Sequence, residues 1–346
     1  MLTKKQVNEI KEHLEKAQNP IFFFDNDPDG LCSFLLLQRY IGRGKGVPIR
    51  SFPEMNAEYF RKINEFNSDY IFILDKPVVS KEFLEEARKF NIPIVWIDHH
   101  KIDNLEVPDF VYYYNSALGR TKKCEPVTAL CYQITNKKED FWIAVIGCIS
   151  DRFIPPFYAK FNKLYPDLSI KSKDAFEILY KSQIGIIIRM FCFALKDKTS
   201  NVMQMIRFLI AVRTPYEVLE ESNKNREMHI RFRQISKKSE KFIEKAKSLS
   251  SNGKILFFQY SGDLSISSDL SNELTYLFPE KIVVVIYTTG IKANISVRGE
   301  KIKEIVLSSI KNLEGATGGG HENAVGAKIR IDDLEKFKEN MKKEVK

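Results

Sequence analysis

The chain has 346 residues, 44 % of them hydrophobic and 29 % charged. That composition buries real cores and excludes a disordered polymer, and the length points to about two domains. Lys and Arg number 54 against 45 Asp and Glu, a formal charge of +9, a modest basic excess that suits an anionic partner.

The N-terminal segment, MLTKKQVNEIKEHLEKAQ, is charged and amphipathic and lacks the apolar core of a secretory leader. No apolar run reaches the ~18 residues of a membrane span; the most apolar helical stretch, residues 184–195, is interrupted by Arg189. These absences favour a cytosolic protein without a membrane partner. The first 115 residues then alternate strand and helix signals. PIFFF at 20–24, residues 47–52, YIFIL at 70–74, PIVWI at 93–97 and FVYYY at 110–114 are short runs rich in aromatic and β-branched residues. Helical patterns lie between them, such as residues 80–90 with Ser80 as N-cap. Strands alternating with helices predict a parallel sheet covered on both faces. Residues 125–134 and 141–150 read as buried helices packing on it, and residues 160–213 as mostly helical.

From about 215 to 250 the pattern predicts one long charged helix without a break. Residues 221–250 carry nine Lys/Arg and four Asp/Glu, which reads either as a solvated face or as a basic wall along a nucleic-acid groove. After Ser251-Asn-Gly a second α/β pattern begins, with strands at 254–259, 281–287, 291–297 and 327–331 and helices near 268–278, 301–312 and 332–343. The expected architecture is α/β: an N-terminal parallel-sheet domain over 1–213, a connecting helix over 214–251 and a smaller C-terminal α/β domain over 252–346. The five cysteines, Cys32, Cys124, Cys131, Cys148 and Cys192, show no C-x-x-C spacing and read as small buried hydrophobes.

The chemistry-bearing residues fall at the ends of the predicted strands. Asp25, Asp27 and Asp29 stand at every second position in DNDPDG, just after the first strand. Crowded carboxylates repel one another, and such a cluster is neutralised by a divalent cation; the plainer reading is an acidic turn with Asp29 as N-cap. Asp75 ends the 70–74 strand, and Asp98, His99 and His100 end the next, where one imidazole can ligate while the carboxylate orients a ring. Asp151 closes an apolar helical run. In an open parallel sheet, sites form at the carboxyl ends of strands. Carboxylates with imidazole and no thiolate suit Mn²⁺ or Mg²⁺, in number enough for two ions, which together activate water and clamp a phosphoryl group. Farther on, Gly318, Gly319, Gly320 and His321 form a glycine-rich turn whose N–H groups let an anion approach. Asn294, Ser296 and Arg298 share one strand face by period two, where an Arg can fork onto a phosphate.

At these residues the sequence resembles the DHH phosphoesterases. DNDPDG at 25–30, Asp75, DHH at 98–100 and Asp151 match the family's motifs in order, and GGGH at 318–321 resembles the DHHA1 domain. That second domain occurs in RecJ-like exonucleases, nanoRNases and cyclic-dinucleotide phosphodiesterases. The resemblance implies Asp25 and Asp27 on one Mn²⁺ or Mg²⁺ ion and Asp29, His99 and Asp151 on a second, with Asp75 bridging. It implies His100 facing the scissile phosphate, and His321, Arg298 and the glycine backbone holding the phosphate or sugar of a nucleotide. Many RecJ-like members carry His where this chain has Asp25, a departure that bears on metal preference. GGGH argues against a family II inorganic pyrophosphatase, and the size lacks the extra domains of long bacterial RecJ. The expected activity is two-metal removal of nucleotides from an end of single-stranded DNA or RNA. The alternatives are hydrolysis of very short oligonucleotides or cyclic dinucleotides, and a replication scaffold, archaeal relatives of this type associating with the GINS complex.

Overall fold

The computed structural model describes all residues except 51–54, 103, 119–123, 251–252 and 346. It divides into two compact units, residues 1–232 and 233–346. The end of the expected 47–52 strand and the start of the Ser251-Asn-Gly linker lie outside the described residues.

The N-terminal unit opens with α1 (Lys4–Lys16), β1 (Pro20–Asp25), α2 (Pro28–Ile41), β2 (Lys45–Ile49), α3 (Phe60–Phe66), β3 (Tyr70–Leu74), α4 (Lys81–Lys89), β4 (Ile94–Asp98) and β5 (Val111–Asn115). The helices α5 (Val127–Thr135), α6 (Phe141–Ser150), α7 (Tyr158–Leu164), α8 (Ala175–Lys181), α9 (Gln183–Ala194), α10 (Thr199–Ala211) and α11 (Pro215–Leu219) follow. The five strands form one parallel sheet in the order β2-β1-β3-β4-β5. Every residue of β1, β3 and β4 is buried, because both faces are covered. The pleat sorts their side chains into two cores. Phe22, Phe24, Phe72, Leu74, Val95 and Ile97 pack with α1, α2, α5, α6 and α9. Ile21, Phe23, Ile71, Ile73, Ile94 and Trp96 pack under α3 and α4. Ser80 caps α4 as expected, its hydroxyl accepting from Phe83 N–H.

The charged tract from 215 is not one helix. It forms α11, then a turn, then α12 (Arg226–Ser248). The break belongs to Asn225, which is 2 % exposed. Its Oδ1 accepts from Ser222 N–H at 2.7 Å, and its Nδ2 donates to the carbonyls of Glu217 (3.1 Å) and Glu220 (2.9 Å). A short amide side chain that bonds the local backbone competes with the helix ladder. Met228, His229, Ile235, Ser239, Ile243 and Ala246 form the buried stripe of α12, with Lys and Arg on the rest of its surface.

The C-terminal unit holds most of α12, then β6 (Ile255–Ser261), α13 (Ser267–Leu277), β7 (Ile282–Thr289), β8 (Lys292–Arg298), α14 (Ile302–Ile310), β9 (Thr317–His321), β10 (Ala324–Arg330) and α15 (Leu334–Glu344). Its sheet is mixed, in the order β6-β7-β8-β10-β9, with β6 and β7 parallel and the other pairs antiparallel. The GGGH segment is therefore an edge strand rather than a turn. Three glycines have poor strand propensity, and pairing of all of β9 with residues 324–328 of β10 supplies the order that they lack.

Candidate metal centre

The strand order reverses between β1 and β3, the place where open α/β sheets form a crevice at the carboxyl ends of their strands. The register brings four polar residues to one level there. Phe24 pairs with Leu74 and Leu74 with Ile97, so Asp25, Asp75 and Asp98 each follow a matched residue, and Asp98 pairs with Asn115.

The DNDPDG segment builds the β1–α2 corner. Asp27 is the N-cap of α2, its Oδ1 accepting from Gly30 N–H at 2.9 Å, with Pro28 at the first helical position. Gly30 is required by close approach, since a Cβ there would meet the Asp25 carbonyl oxygen at 2.4 Å. Asp29 is not the N-cap of its own helix. Its carboxylate accepts from the N–H groups of Val127 (3.0 Å) and Thr128 (2.8 Å) and so caps α5, whose own cap position is Pro126. This contact is invisible in the sequence, because it joins residues 98 and 99 positions apart.

Asp75 is buried and holds a left-handed backbone, φ 58°, a conformation that a non-glycine residue adopts at a cost of about 1–3 kcal/mol and that marks functional sites. Its Oδ1 lies 3.2 Å from His99 Nε2 without hydrogen-bond geometry, and among the described residues it has no hydrogen-bond donor. His99 Nδ1 lies 3.7 Å from Asp151 Oδ2, at the C-cap of α6. His100 Nδ1 lies 2.8 Å from Asp98 Oδ1, and its N–H donates to Asp98 Oδ2 at 3.1 Å. Asn115 Nδ2 donates to the His100 carbonyl at 2.8 Å and reaches Asp98 Oδ2 at 3.4 Å. Asp98 thus orients the His100 ring, and Asn115 braces both.

Crowding and burial set the electrostatics. Burial, then the charges of Asp25 and Asp29, pushes the Asp27 carboxyl up to about 7. Burial pushes Asp29 up to about 6, against the pull of His99. Burial, followed by Asp29 and Asp27, raises Asp75 well above the usual carboxylate range. Burial works against protonation of His99, but the contact with Asp75 and the charges of Asp75, Asp151 and Asp29 carry it well above the usual imidazole value.

Asp25, Asp27 and Asp75 bring one oxygen each within 4.8 Å of one another, and Asp29, His99 and Asp151 do the same with their ligand atoms. Hard oxygen donors with one imidazole, mutually repelling, and a buried Asp75 oxygen without a donor fit a pair of divalent cations. Two contributors lie outside the sequence motifs. Thr128 anchors Asp29, its hydroxyl donating to the Asp29 carbonyl at 3.0 Å. Lys76, 1 % exposed, donates to Asp25 Oδ1 at 3.4 Å and to the Arg50 carbonyl at 2.6 Å. Its place directly after Asp75 at a strand end was the available signal.

In the C-terminal unit the register sets Arg298, Ala324 and His321 on one level, and Ser296, Gly326 and Gly319 on the next of the same face. Arg298 is buried. Its Nε donates to Asn272 Oδ1 at 2.7 Å and its Nη2 to Ser268 Oγ at 3.0 Å, both on α13, while Ser296 bonds Ser267 at 3.1 Å. Asn294 is half-buried, and Gly318 to His321 are exposed. A Cβ at Gly319 would meet nothing within 4 Å, so the sheet face that carries the anchored Arg298 is open there. Among the described residues no helix is long and apolar enough to cross a membrane. Cys32, Cys131 and Cys148 are buried, Cys192 is half-buried, and Cys124 is exposed.

Among solved structures the chain is similar in fold to RecJ from Thermus thermophilus in complex with Mn²⁺, with TM-score 0.70 and 16 % identity over 97 % of this chain and 53 % of that one. The chain thus spans about half the length of that RecJ. It is also similar to an exonuclease RecJ bound to manganese (TM-score 0.64, 16 % identity, 97 % and 92 % coverage). A third likeness is to PggH, a pGpG-specific phosphodiesterase from Vibrio cholerae (TM-score 0.52, 11 % identity, 94 % and 99 % coverage). No curated protein sequence matches the chain. The model of the DHH family N-terminal domain matches residues 21–148 and that of the DHHA1 domain residues 250–346. With its parallel acidic-ended sheet followed by a mixed-sheet domain, the chain belongs to the DHH/DHHA1 family.

Proposed function

We propose that the protein is a divalent-metal-dependent phosphodiesterase, a RecJ-like exonuclease that removes nucleotides from an end of single-stranded nucleic acid. The observation that carries this reading is the pair of adjoining donor groups at the strand ends, Asp25, Asp27 and Asp75 beside Asp29, His99 and Asp151. Asp25 and Asp27 would hold one Mn²⁺ or Mg²⁺ ion, Asp29, His99 and Asp151 the other, with Asp75 between them. Bound there, the ions would supply Lewis-acid activation of water and charge neutralisation at the phosphoryl group.

The chain's own residues do the rest. Asp98 and Asn115 fix the His100 ring, which would donate to an oxygen of the scissile phosphate. Asp29 is tied to the start of α5 by two backbone N–H groups. In the second domain Arg298, Asn294 and Ser296 with Gly318, Gly319, Gly320 and His321 would grip the phosphate or sugar of the end nucleotide. Placement of this kind matters to rate, since a shift of about 1 Å in the phosphate costs on the order of 100-fold.

The likeness in fold to two RecJ proteins supports a polymer substrate, and the likeness to PggH supports a very short one as the second reading. A replication scaffold bound to a complex such as GINS would need no metal set. Digestion of end-labelled single-stranded DNA and RNA in a length series, with Mn²⁺, Mg²⁺ or EDTA, tests all three. Metal-dependent release of mononucleotides from long strands is the expected result. Cleavage restricted to dinucleotides selects the second reading, and no hydrolysis under any metal overturns both enzymatic ones.

A further inference from the structure

One residue beyond the acidic cluster, the N-terminal unit has a hollow of about 470 Å³ lined by Arg152, Phe153, Ile154, Lys173, Asp174 and Phe176 among others. Its volume lies in the range of small-ligand sites. Arg152 follows Asp151 directly, at the end of α6. Its backbone is left-handed, φ 57°, its N–H donates to the Ile149 carbonyl at 3.0 Å, and Phe153 N–H reaches back to the Cys148 carbonyl at 2.9 Å. Helices that end this way place Gly, or sometimes Asn, at the left-handed position, because a side chain there is strained. Helix termination alone would therefore be served better by glycine, so the arginine is there for what its side chain does. The guanidinium carbon lies 4.9 Å from the centre of the Phe176 ring. A guanidinium laid over a ring presents its N–H fork at the rim, in the geometry that recognises phosphate. Lys173 adds a second cation to the wall. Of the carboxylates nearby, Asp174 caps α8 and accepts from Phe176 N–H at 2.9 Å, and Asp151, whose charge acts on Arg152, belongs to the acidic cluster.

We propose that this hollow is a subsite for the nucleotide flanking the scissile phosphate of a nucleic-acid substrate. Arg152 and Lys173 hold its phosphate, and the apolar wall of Phe153 and Ile154, beside the Arg152-covered ring of Phe176, takes its base. A nucleotide is the ligand that uses both halves of the wall, an anion beside a flat apolar ring. The subsite rests on the proposed nuclease reading, and it gives that reading a reason to favour substrates longer than the single phosphate at the metals.

The test uses the full-length protein with Ca²⁺ in place of Mn²⁺ to slow turnover. Binding of a fluorescein-labelled single strand is measured by anisotropy, Mn²⁺ binding by calorimetry, and stability by thermal unfolding. Arg152→Gly should weaken strand binding about tenfold, the loss expected for one charge-assisted contact. It should leave Mn²⁺ binding unchanged and the melting temperature unchanged or raised, since glycine is at ease at that φ. Arg152→Lys should fall between, keeping charge without the fork, and Lys173→Ala, at an exposed position, should lower affinity and the salt dependence together. Wild-type affinity in Arg152→Gly and Lys173→Ala would overturn the subsite and leave the nuclease reading standing. Loss of Mn²⁺ or of stability in Arg152→Gly would make Arg152 a structural residue and overturn it also. A wild-type protein that binds no single strand would overturn both.

Discussion

Lys76 and Asp25 form a buried pair at the edge of the acidic cluster, and its strength is measurable. Lys76 Nζ lies 3.4 Å from Asp25 Oδ1, and both side chains are almost wholly inside the protein. Opposite unit charges at that distance attract by about 5 kcal/mol in an effective dielectric of about 20. Desolvation takes back part of this, and the separation is longer than the roughly 2.7–2.9 Å of a strong charge-assisted bond. The net coupling should therefore be roughly 2–3 kcal/mol. The perturbation is a double-mutant cycle of Asp25→Asn, Lys76→Met and the two together, unfolded in urea with EDTA present. Both residues touch other groups, and the cycle cancels those contributions. Each single change leaves the partner's charge uncompensated, and the double change should cost clearly less than the sum of the two. Additivity within about 0.5 kcal/mol would refute the pairing as an energetic fact.

Asp75→Ala should abolish hydrolysis and lower metal stoichiometry at both ions while the protein still folds, because it removes a charge from a repelling cluster; wild-type turnover by this variant ends the bridging assignment. The metal-free protein should lose stability as pH rises from about 4 to 7. Asp27 and Asp29, raised to about 7 and about 6 in the fold, keep protons there that the unfolded chain has released, so the folded state is favoured below this window and penalised above it. Mn²⁺ needs the ionised carboxylates and should raise the melting temperature more at pH 8 than at pH 5; an equal rise at both contradicts the ligand set. In the second domain Gly319→Ala should keep the melting temperature, having open space for its Cβ, yet slow hydrolysis. Gly320→Ala should destabilise, since φ is 141° and the Ala324 carbonyl oxygen would lie 2.4 Å from its Cβ. Unaltered turnover by Gly319→Ala would remove this glycine from the substrate path.

Strand positions were legible because a parallel sheet writes short apolar runs with abrupt ends. The acidic residues at those ends were legible for the same reason, a charge directly after a buried strand having few explanations. What the sequence hid was non-local or a matter of competing local bonds. Asn225 breaks the charged tract through hydrogen bonds to Ser222, Glu217 and Glu220, which no periodicity encodes. GGGH lies in a strand because β10 pairs with it, against the preference of its own glycines. Asp29 caps a helix that begins 98 residues later, so its second task was out of reach of any local pattern.

The Asp25–Lys76 pair would also offset the departure from the expected motif at position 25. A histidine at position 25 would offer a neutral donor to a cation. An aspartate offers a full negative charge to a cluster already crowded with Asp27, Asp29, Asp75 and Asp151, where each added carboxylate raises the cost of ionising the others. Lys76, buried against Asp25, cancels that charge locally. The pair as a whole is therefore neutral, like the imidazole, while Asp25 keeps an oxygen for the group it shares with Asp27 and Asp75. On this logic position 25 cannot be exchanged alone. Asp25→His would set an uncancelled ammonium beside the ion that Asp25 and Asp27 would hold, and should weaken Mn²⁺ binding. Asp25→His with Lys76→Met returns the local charge to that of the wild type and should recover it. Calorimetry of Mn²⁺ binding to the single and double variants decides the point, and equal affinity in the two would show that Lys76 has no part in balancing the site.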